Sequence, residues 1–237
     1  MTLALPTTEE TDPFCLPPLA AAALLHDAPW QRFAVIGDSL SLGTCDPSPG
    51  YTTLGWSDRV ADVLRRVNPA LAYLNTGQIG TTTAETLRHQ SDPLREFAPD
   101  LLYLPCPAND IVRRTPDYDE IERNQRDMYR MASATGAELM TFTLGKAYVV
   151  PVFPDWTDRV RRINDLTRAI ARDYDAIVID MWDHPIHDRP NLLSADRLHF
   201  SASGQAVLAT EAIKQLAHRL AATGARTVED GPRPSAY

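Results

Sequence analysis

Two short polar segments near opposite ends of the chain carry residue types that together suit acyl transfer. The tetrapeptide Gly-Asp-Ser-Leu at positions 37–40 follows an apolar run and places Ser39 on a glycine-flanked turn. Near the other end Asp196 and His199 stand three residues apart, a spacing that lets the carboxylate accept from imidazole Nδ1–H and leaves Nε2 as a general base. A serine hydroxyl needs such a base before it becomes a nucleophile. Each segment alone is equally consistent with a helix-capping serine or a surface turn.

Two further blocks supply donor types that a developing oxyanion requires. The segment 75–82 contains Gly80, whose backbone can approach a ligand closely, and the segment 107–110 contains the side-chain amide of Asn109. Taken singly, these residues are more simply explained as a turn glycine and a loop asparagine. All the candidate groups, however, follow predicted strands, and ligands bind at the carboxyl ends of strands in a parallel sheet.

The elements that must position these residues alternate in type along the chain. Thr82 with Glu85, Asp117 with Glu120, and Ser203 offer side-chain oxygens that predict helix starts. Alternating strands and helices predict an α/β fold with a mostly parallel sheet covered by helices on both faces. The apolar runs of strand length are 33–36, 71–74, 101–104, 139–143 and 176–179.

The chain divides into one domain and two flanking segments. Residues 1–30 are rich in Pro, Thr and Ala without a steady period and predict an irregular arm that packs on the domain or extends from it. Residues 31–226 form the predicted domain. Residues 227–237 predict a disordered tail.

The ordered blocks G-D-S-L, N-x-x-x-x-G, A-N-D and D-x-x-H resemble those of the SGNH (GDSL) hydrolases over about residues 33–220. The resemblance implies a flavodoxin-like three-layer α/β/α sandwich with a five-stranded sheet. It implies Ser39 as nucleophile, His199 as general base and acid, and Asp196 as the residue that orients it. The oxyanion hole would be the Ser39 and Gly80 amides with the Asn109 side chain.

The implied activity is a serine esterase that cleaves a small-molecule ester, a lipid or an acylated sugar without a cofactor, with Asp38 and Leu40 contacting substrate. Transfer of the acyl group to an alcohol or amine uses the same residues and stays open. A non-catalytic binding domain on the same fold is the third alternative, and the presence of the full Ser, His and Asp set argues against it. One departure is Pro107, which occupies a position where the family usually has glycine; because proline fixes φ, the loop that carries Asn109 is expected to be shaped differently.

The composition of the chain limits which binding partners and cellular locations are expected. Lysine and arginine number 23 against 31 acidic residues, a net charge of −8, so the basic footprint of nucleic-acid binding is missing. Three widely spaced cysteines argue against a disulfide framework or a zinc site and favour a cytoplasmic location. No apolar run approaches the roughly 18 residues that span a membrane. The oligomeric state stays open.

Two other interpretations concern side chains near the motifs. His184 and His187, with acidic neighbours, could bind a divalent ion, but their segment is better explained as a polar loop at the rim of the active site. Tyr51, Trp56 and Phe200 could line an acyl pocket, although aromatic residues at such spacing more often belong to the core.

Overall fold

A computed structural model describes residues 7–229 and contains one five-stranded sheet. All the neighbouring strands pair in parallel, in the order β2-β1-β3-β4-β5. The predicted strands are therefore confirmed to within about a residue at most ends, and so is the α/β sandwich. The strands are β1 (Arg32–Val35), β2 (Ala72–Asn75), β3 (Leu101–Tyr103), β4 (Glu138–Phe142) and β5 (Ile177–Ile179).

Helices cover both faces of this sheet. One layer combines α1, α3 and α7, and the other combines α4, α5 and α6. The short α2 follows β1 at the carboxyl edge. The helices are α1 (Pro18–Leu24), α2 (Ser39–Leu42), α3 (Trp56–Val67), α4 (Thr83–Phe97), α5 (Tyr118–Ser133), α6 (Trp156–Asp173) and α7 (Ala202–Glu229).

The two layers are built from alternate residues of the same strands, because successive side chains of a strand point to opposite faces. Phe33 and Val35 of β1 pack under α3 and α7. Ala34 between them packs with residues of α4, α5 and α6. The central strands β1, β3 and β4 are thus buried on both faces, as their apolar sequences require, while the edge strand β2 is half-buried.

Helix capping follows the sequence at two of three predicted positions. Thr82 and Glu85 form a reciprocal capping box at α4, and Asp117 accepts from the Glu120 amide at α5. The prediction for Ser203 is wrong, since α7 already begins at Ala202. Ser203 is buried inside the helix, where its hydroxyl donates to a backbone carbonyl of the preceding loop.

The N-terminal arm is more ordered than its composition predicts. It contains α1, and Ala21, Leu25 and Trp30 are buried in the main core. Residues 1–6 of the predicted arm and 230–237 of the predicted tail lie outside the described residues, while α7 includes positions 227–229. Among the helices of the described range, none is long and apolar enough to cross a membrane.

Candidate active site

A cavity of about 60 Å³ opens at the carboxyl edge of the sheet. Its wall includes Ser39, Asn109 and His199, together with Asp38 and Leu40. The fold thus brings five of the seven predicted site residues to one cavity. Of the remaining two, Asp196 contacts His199 from behind this wall, and Gly80 lies on a neighbouring loop, as described below.

Ser39 is the first residue of α2, directly after β1. The turn before it is held by Gln90 of α4, whose amide accepts from Gly37 N (2.7 Å) and donates to Gly37 O (2.9 Å). Gly37 has a φ of +126°, a backbone conformation that residues with a side chain rarely adopt. The carboxylate of Asp38 caps α2 by accepting from Leu40 N at 3.0 Å. Ser39 is thereby presented from a rigid turn.

Asp38 is a buried carboxyl group directly before Ser39. Only 6% of the residue is exposed, and burial raises the pKa of Asp38 to about 6 in spite of the amides of Ser41 and Leu40 that hydrogen-bond to it. The charge of Asp110 raises this pKa further. This carboxyl group therefore titrates near neutrality.

His199 and Asp196 are paired as their spacing predicts. Imidazole Nδ1 lies 2.6 Å from Asp196 Oδ2, and Asp196 Oδ1 accepts from the amides of Leu198 (2.9 Å) and His199 (3.0 Å). Partial burial raises the pKa of Asp196, but these hydrogen bonds outweigh burial and lower it to about 2. Asp196 is consequently a carboxylate that holds the ring with Nε2 as the nitrogen left for another partner.

Asn109 lies in a short 3₁₀ turn after β3. Its Nδ2 donates to Thr81 O at 3.0 Å and lies 3.4 Å from Asp38 Oδ2, a weak contact. Pro107 is buried one turn earlier, where Ala108 N donates to Cys106 O at 2.8 Å. The tight turn around the proline still leaves the Asn109 side chain on the cavity wall.

Gly80 lies on the exposed loop between β2 and α4, outside the residues that line the cavity. Its φ is +78°, and a Cβ atom built there would meet nothing within 4 Å. The loop approaches the site through the next residue, since Thr81 O accepts from Asn109. The positive φ therefore explains why a glycine stands at this position. Its amide belongs to the residue directly before Thr81, which contacts Asn109.

The remainder of the cavity wall is largely apolar. Phe200 lies on this wall, as the sequence analysis suggested. Trp56 is instead buried in the core, and the Tyr51 hydroxyl donates to Asp12 at 2.8 Å. Tyr51 and Trp56 are therefore not lining residues. Side chains that form this wall include Tyr103, Phe142, Tyr148, Met181, Phe200 and Leu208.

The histidines of the loop after β5 have protein partners. His184 Nε2 lies 3.5 Å from Glu211, and His187 Nε2 lies 2.6 Å from Met181 O. Asp180 accepts from the Arg168 guanidinium at 2.7 Å. Within residues 7–229 no group of three or more His, Cys, Asp or Glu side chains is arranged to hold a metal ion.

Two residues that shape the site, Asn75 and Asp110, were given no role in the sequence analysis. Asn75 donates to Ser41 O at 2.7 Å and accepts from Gly77 N at 2.9 Å. Asp110 accepts from the amide (3.0 Å) and hydroxyl (2.7 Å) of Thr83 at the start of α4. Their positions inside the N-x-x-x-x-G and A-N-D blocks were the available signal.

Comparisons with known proteins agree with this geometry. The sequence model of the GDSL-like Lipase/Acylhydrolase family matches residues 35–207. No curated protein matches the chain.

Solved structures similar to this chain share its fold at low sequence identity. LAE5, an alpha/beta hydrolase from the metagenome of Lake Arreo, Spain, is 19% identical with a TM-score of 0.63; the match covers 78% of this chain and 94% of LAE5. Axe2, an acetylxylan esterase from Geobacillus stearothermophilus, is 18% identical with a TM-score of 0.62 over the same shares. TesA is 22% identical with a TM-score of 0.60, over 78% of this chain and 98% of TesA.

Proposed function

The chain belongs to the GDSL-like lipase/acylhydrolase family, and on that premise we propose that it hydrolyses a carboxylic ester through an acyl-enzyme on Ser39. The family predicted from the four sequence blocks is confirmed by the match, and with it the class of serine esterase. The observation that carries the mechanism is the 2.6 Å contact of His199 with Asp196 at a cavity that Ser39 also lines.

Acylation begins when His199 Nε2 accepts the proton of the Ser39 hydroxyl as its oxygen attacks the ester carbonyl. Asp196 stabilises the imidazolium that results and holds it in the required orientation. The tetrahedral intermediate collapses when the imidazolium returns this proton to the leaving alcohol. The acyl group then remains bound to the serine oxygen as an ester.

Deacylation repeats the same steps with water as the nucleophile. His199 accepts a proton from water, the hydroxide attacks the acyl carbonyl, and the Ser39 oxygen leaves with the proton. The products are the free enzyme and a carboxylic acid. The cycle needs only the groups of this chain and one water molecule.

The oxyanion is stabilised by donors that are already fixed before the reaction. We assign the Ser39 amide at the N-terminus of α2, the Gly80 amide and Asn109 Nδ2 to this role. The bond of Nδ2 to Thr81 O fixes the Asn109 side chain with one hydrogen. The other hydrogen makes only the long contact with Asp38, so it remains available to the oxyanion.

The size and lining of the cavity favour a short acyl group. A volume of about 60 Å³ accommodates about five water molecules, which suits an acetyl or similar chain better than a long fatty chain. The apolar wall suits the alkyl part of such a group. The acetylxylan esterase with a similar fold is consistent with this preference.

Substitution of Ser39 tests the proposal. Ser39→Ala should remove nearly all hydrolysis of p-nitrophenyl acetate and all labelling by a fluorophosphonate, because both need the hydroxyl. Ser133→Ala, an exposed serine on α5, is the matched control and should behave as wild type. For the wild type, kcat/KM should fall steeply from the acetate to the octanoate ester. Wild-type turnover by Ser39→Ala would refute the mechanism.

A further inference from the structure

The hairpin that carries Asp196 and His199 packs against the main core only at its base, through Leu193 and Phe200. It is closed by a bridge between Leu193 and Phe200 and by a bond of Ser194 N to His199 O at 2.8 Å. The four residues at its tip, 195–198, are all exposed. Hydrophobic burial therefore does not determine where the tip lies relative to the sheet, and hydrogen bonds must do so.

Asp46 makes three hydrogen bonds to this hairpin and its continuation into α7. Its carboxylate accepts from Ala195 N at 2.8 Å, directly before Asp196 in the chain. Its amide donates to Ser194 Oγ at 2.9 Å, and its carbonyl accepts from Ala202 N at 2.9 Å. Both ends of the base-carrying segment are thus bonded to a single residue.

Ser194 extends this connection to the base itself. Its hydroxyl accepts from Asp46 N and donates to Phe200 O at 3.1 Å, while its own amide donates to His199 O. Asp46 in turn lies in the loop that follows α2, only seven residues after Ser39. A short path of backbone and hydrogen bonds therefore joins the nucleophile to the base.

We propose that Asp46 is a positioning residue for the catalytic reaction. Through its hydrogen bonds to Ala195 and Ser194, it sets the position of the His199 imidazole relative to the Ser39 hydroxyl. This inference rests on the proposed function. The carboxylate acts as a hydrogen-bond acceptor, and its charge is not required. It does not touch the substrate.

The expected effect follows from where the bond lies. Asp46 is exposed, so water can replace its carboxylate at Ala195 N–H and the fold should lose little stability. The hairpin tip would be free to move, and a displacement of about 1 Å at a reacting group costs on the order of 100-fold in rate. The damage should therefore fall on kcat and leave KM and thermal stability nearly unchanged.

The experiment compares Asp46→Ala with Asp46→Asn in the full chain. The asparagine keeps an acceptor oxygen for Ala195 N–H and removes the charge. Asp46→Ala should lower kcat for p-nitrophenyl acetate by about 10- to 100-fold, with a parallel fall in the rate of fluorophosphonate labelling of Ser39. Asp46→Asn should restore most of both rates. Asp127→Ala, which removes an exposed carboxylate of α5, should match wild type.

Two results would overturn the proposal. One is a wild-type kcat in Asp46→Ala. The other is equal impairment of Asp46→Ala and Asp46→Asn, which would make the charge and not the hydrogen bond responsible. Should Asp46→Ala fail to fold, Ser194→Ala provides the decision, because it breaks the second connection; it should also lower kcat at constant KM, and an unchanged kcat there would contradict the inference.

The same assay separates this inference from the proposed function. If Ser39→Ala stays active, the assignment of the nucleophile fails, whatever the Asp46 variants do. If Ser39→Ala is inactive while the alanine variants at 46 and 194 keep the wild-type kcat, only the positioning role is refuted.

Discussion

The buried carboxyl group of Asp38 should make the stability of the protein depend on pH in an unusual direction. Its pKa is about 6 in the folded chain because of burial, against 3.8 for an unperturbed aspartate. Between these values the folded state binds more protons than the unfolded state, so the free energy of unfolding falls as pH rises. The difference corresponds to roughly 3 kcal/mol, most of it lost between pH 4 and pH 7.

Asp38→Asn removes this titration and keeps an oxygen that can cap α2. The difference in unfolding free energy between the variant and wild type should therefore shift in favour of the variant as pH rises. Between pH 4 and a pH above 7 this shift should approach roughly 3 kcal/mol. Urea unfolding of both proteins at intervals from pH 4 to pH 8 measures this difference directly. Asp62→Asn, an exposed carboxylate on α3, controls for the loss of one negative charge. A stability difference that does not vary with pH would refute the reasoning.

Two further substitutions test the Asn109 side chain as an oxyanion donor and the ion pair that holds the N-terminal arm. Asn109→Ala should lower kcat about 100-fold with little change in KM, since one oxyanion donor contributes about 3 kcal/mol; steady-state kinetics check this, and a change confined to KM would contradict it. Arg189→Ala should reduce the free energy of unfolding by roughly 3 to 5 kcal/mol, because it leaves a buried carboxylate without its cation. Arg189 contacts Asp12, whose side chain is fully buried, at 2.7 Å. Urea unfolding measures the loss, and a loss below about 1 kcal/mol would argue that Tyr51 and the Phe14 amide suffice as partners of Asp12.

The strands and the starts of α4 and α5 could be predicted because they depend on short-range patterns. Five apolar runs bounded by polar segments leave few alternatives to a parallel sheet, and Thr82 with Glu85 is a local capping signal. The N-terminal arm could not be predicted in the same way. Its order comes from burial of Ala21, Leu25 and Trp30 against distant helices, and such tertiary packing outweighs a weak local pattern.

The candidate site shows the same division between local and long-range information. Residue type and spacing make Ser39, Asp196 and His199 the candidates, because the proposed chemistry restricts which side chains can perform it. The residues that hold them in place have no such restriction. Asp46 contacts residues 148 and 149 positions away, and an aspartate in a proline-rich loop has many simpler explanations.

The distribution of these contacts also explains how one fold can hold a precise site on exposed loops. The position of the proposed nucleophile depends on the sheet, since Ser39 lies on the turn that follows β1 and Gln90 holds that turn by hydrogen bonds to Gly37. The base depends on the nucleophile's own loop, because Asp46 is the link between them. A shift of α2 would therefore carry the base hairpin with it and preserve the distance between the reacting groups. Substitutions that loosen α2 as a whole should for this reason reduce kcat less than Asp46→Ala, which removes the carboxylate bond to Ala195 N at the tip of the hairpin.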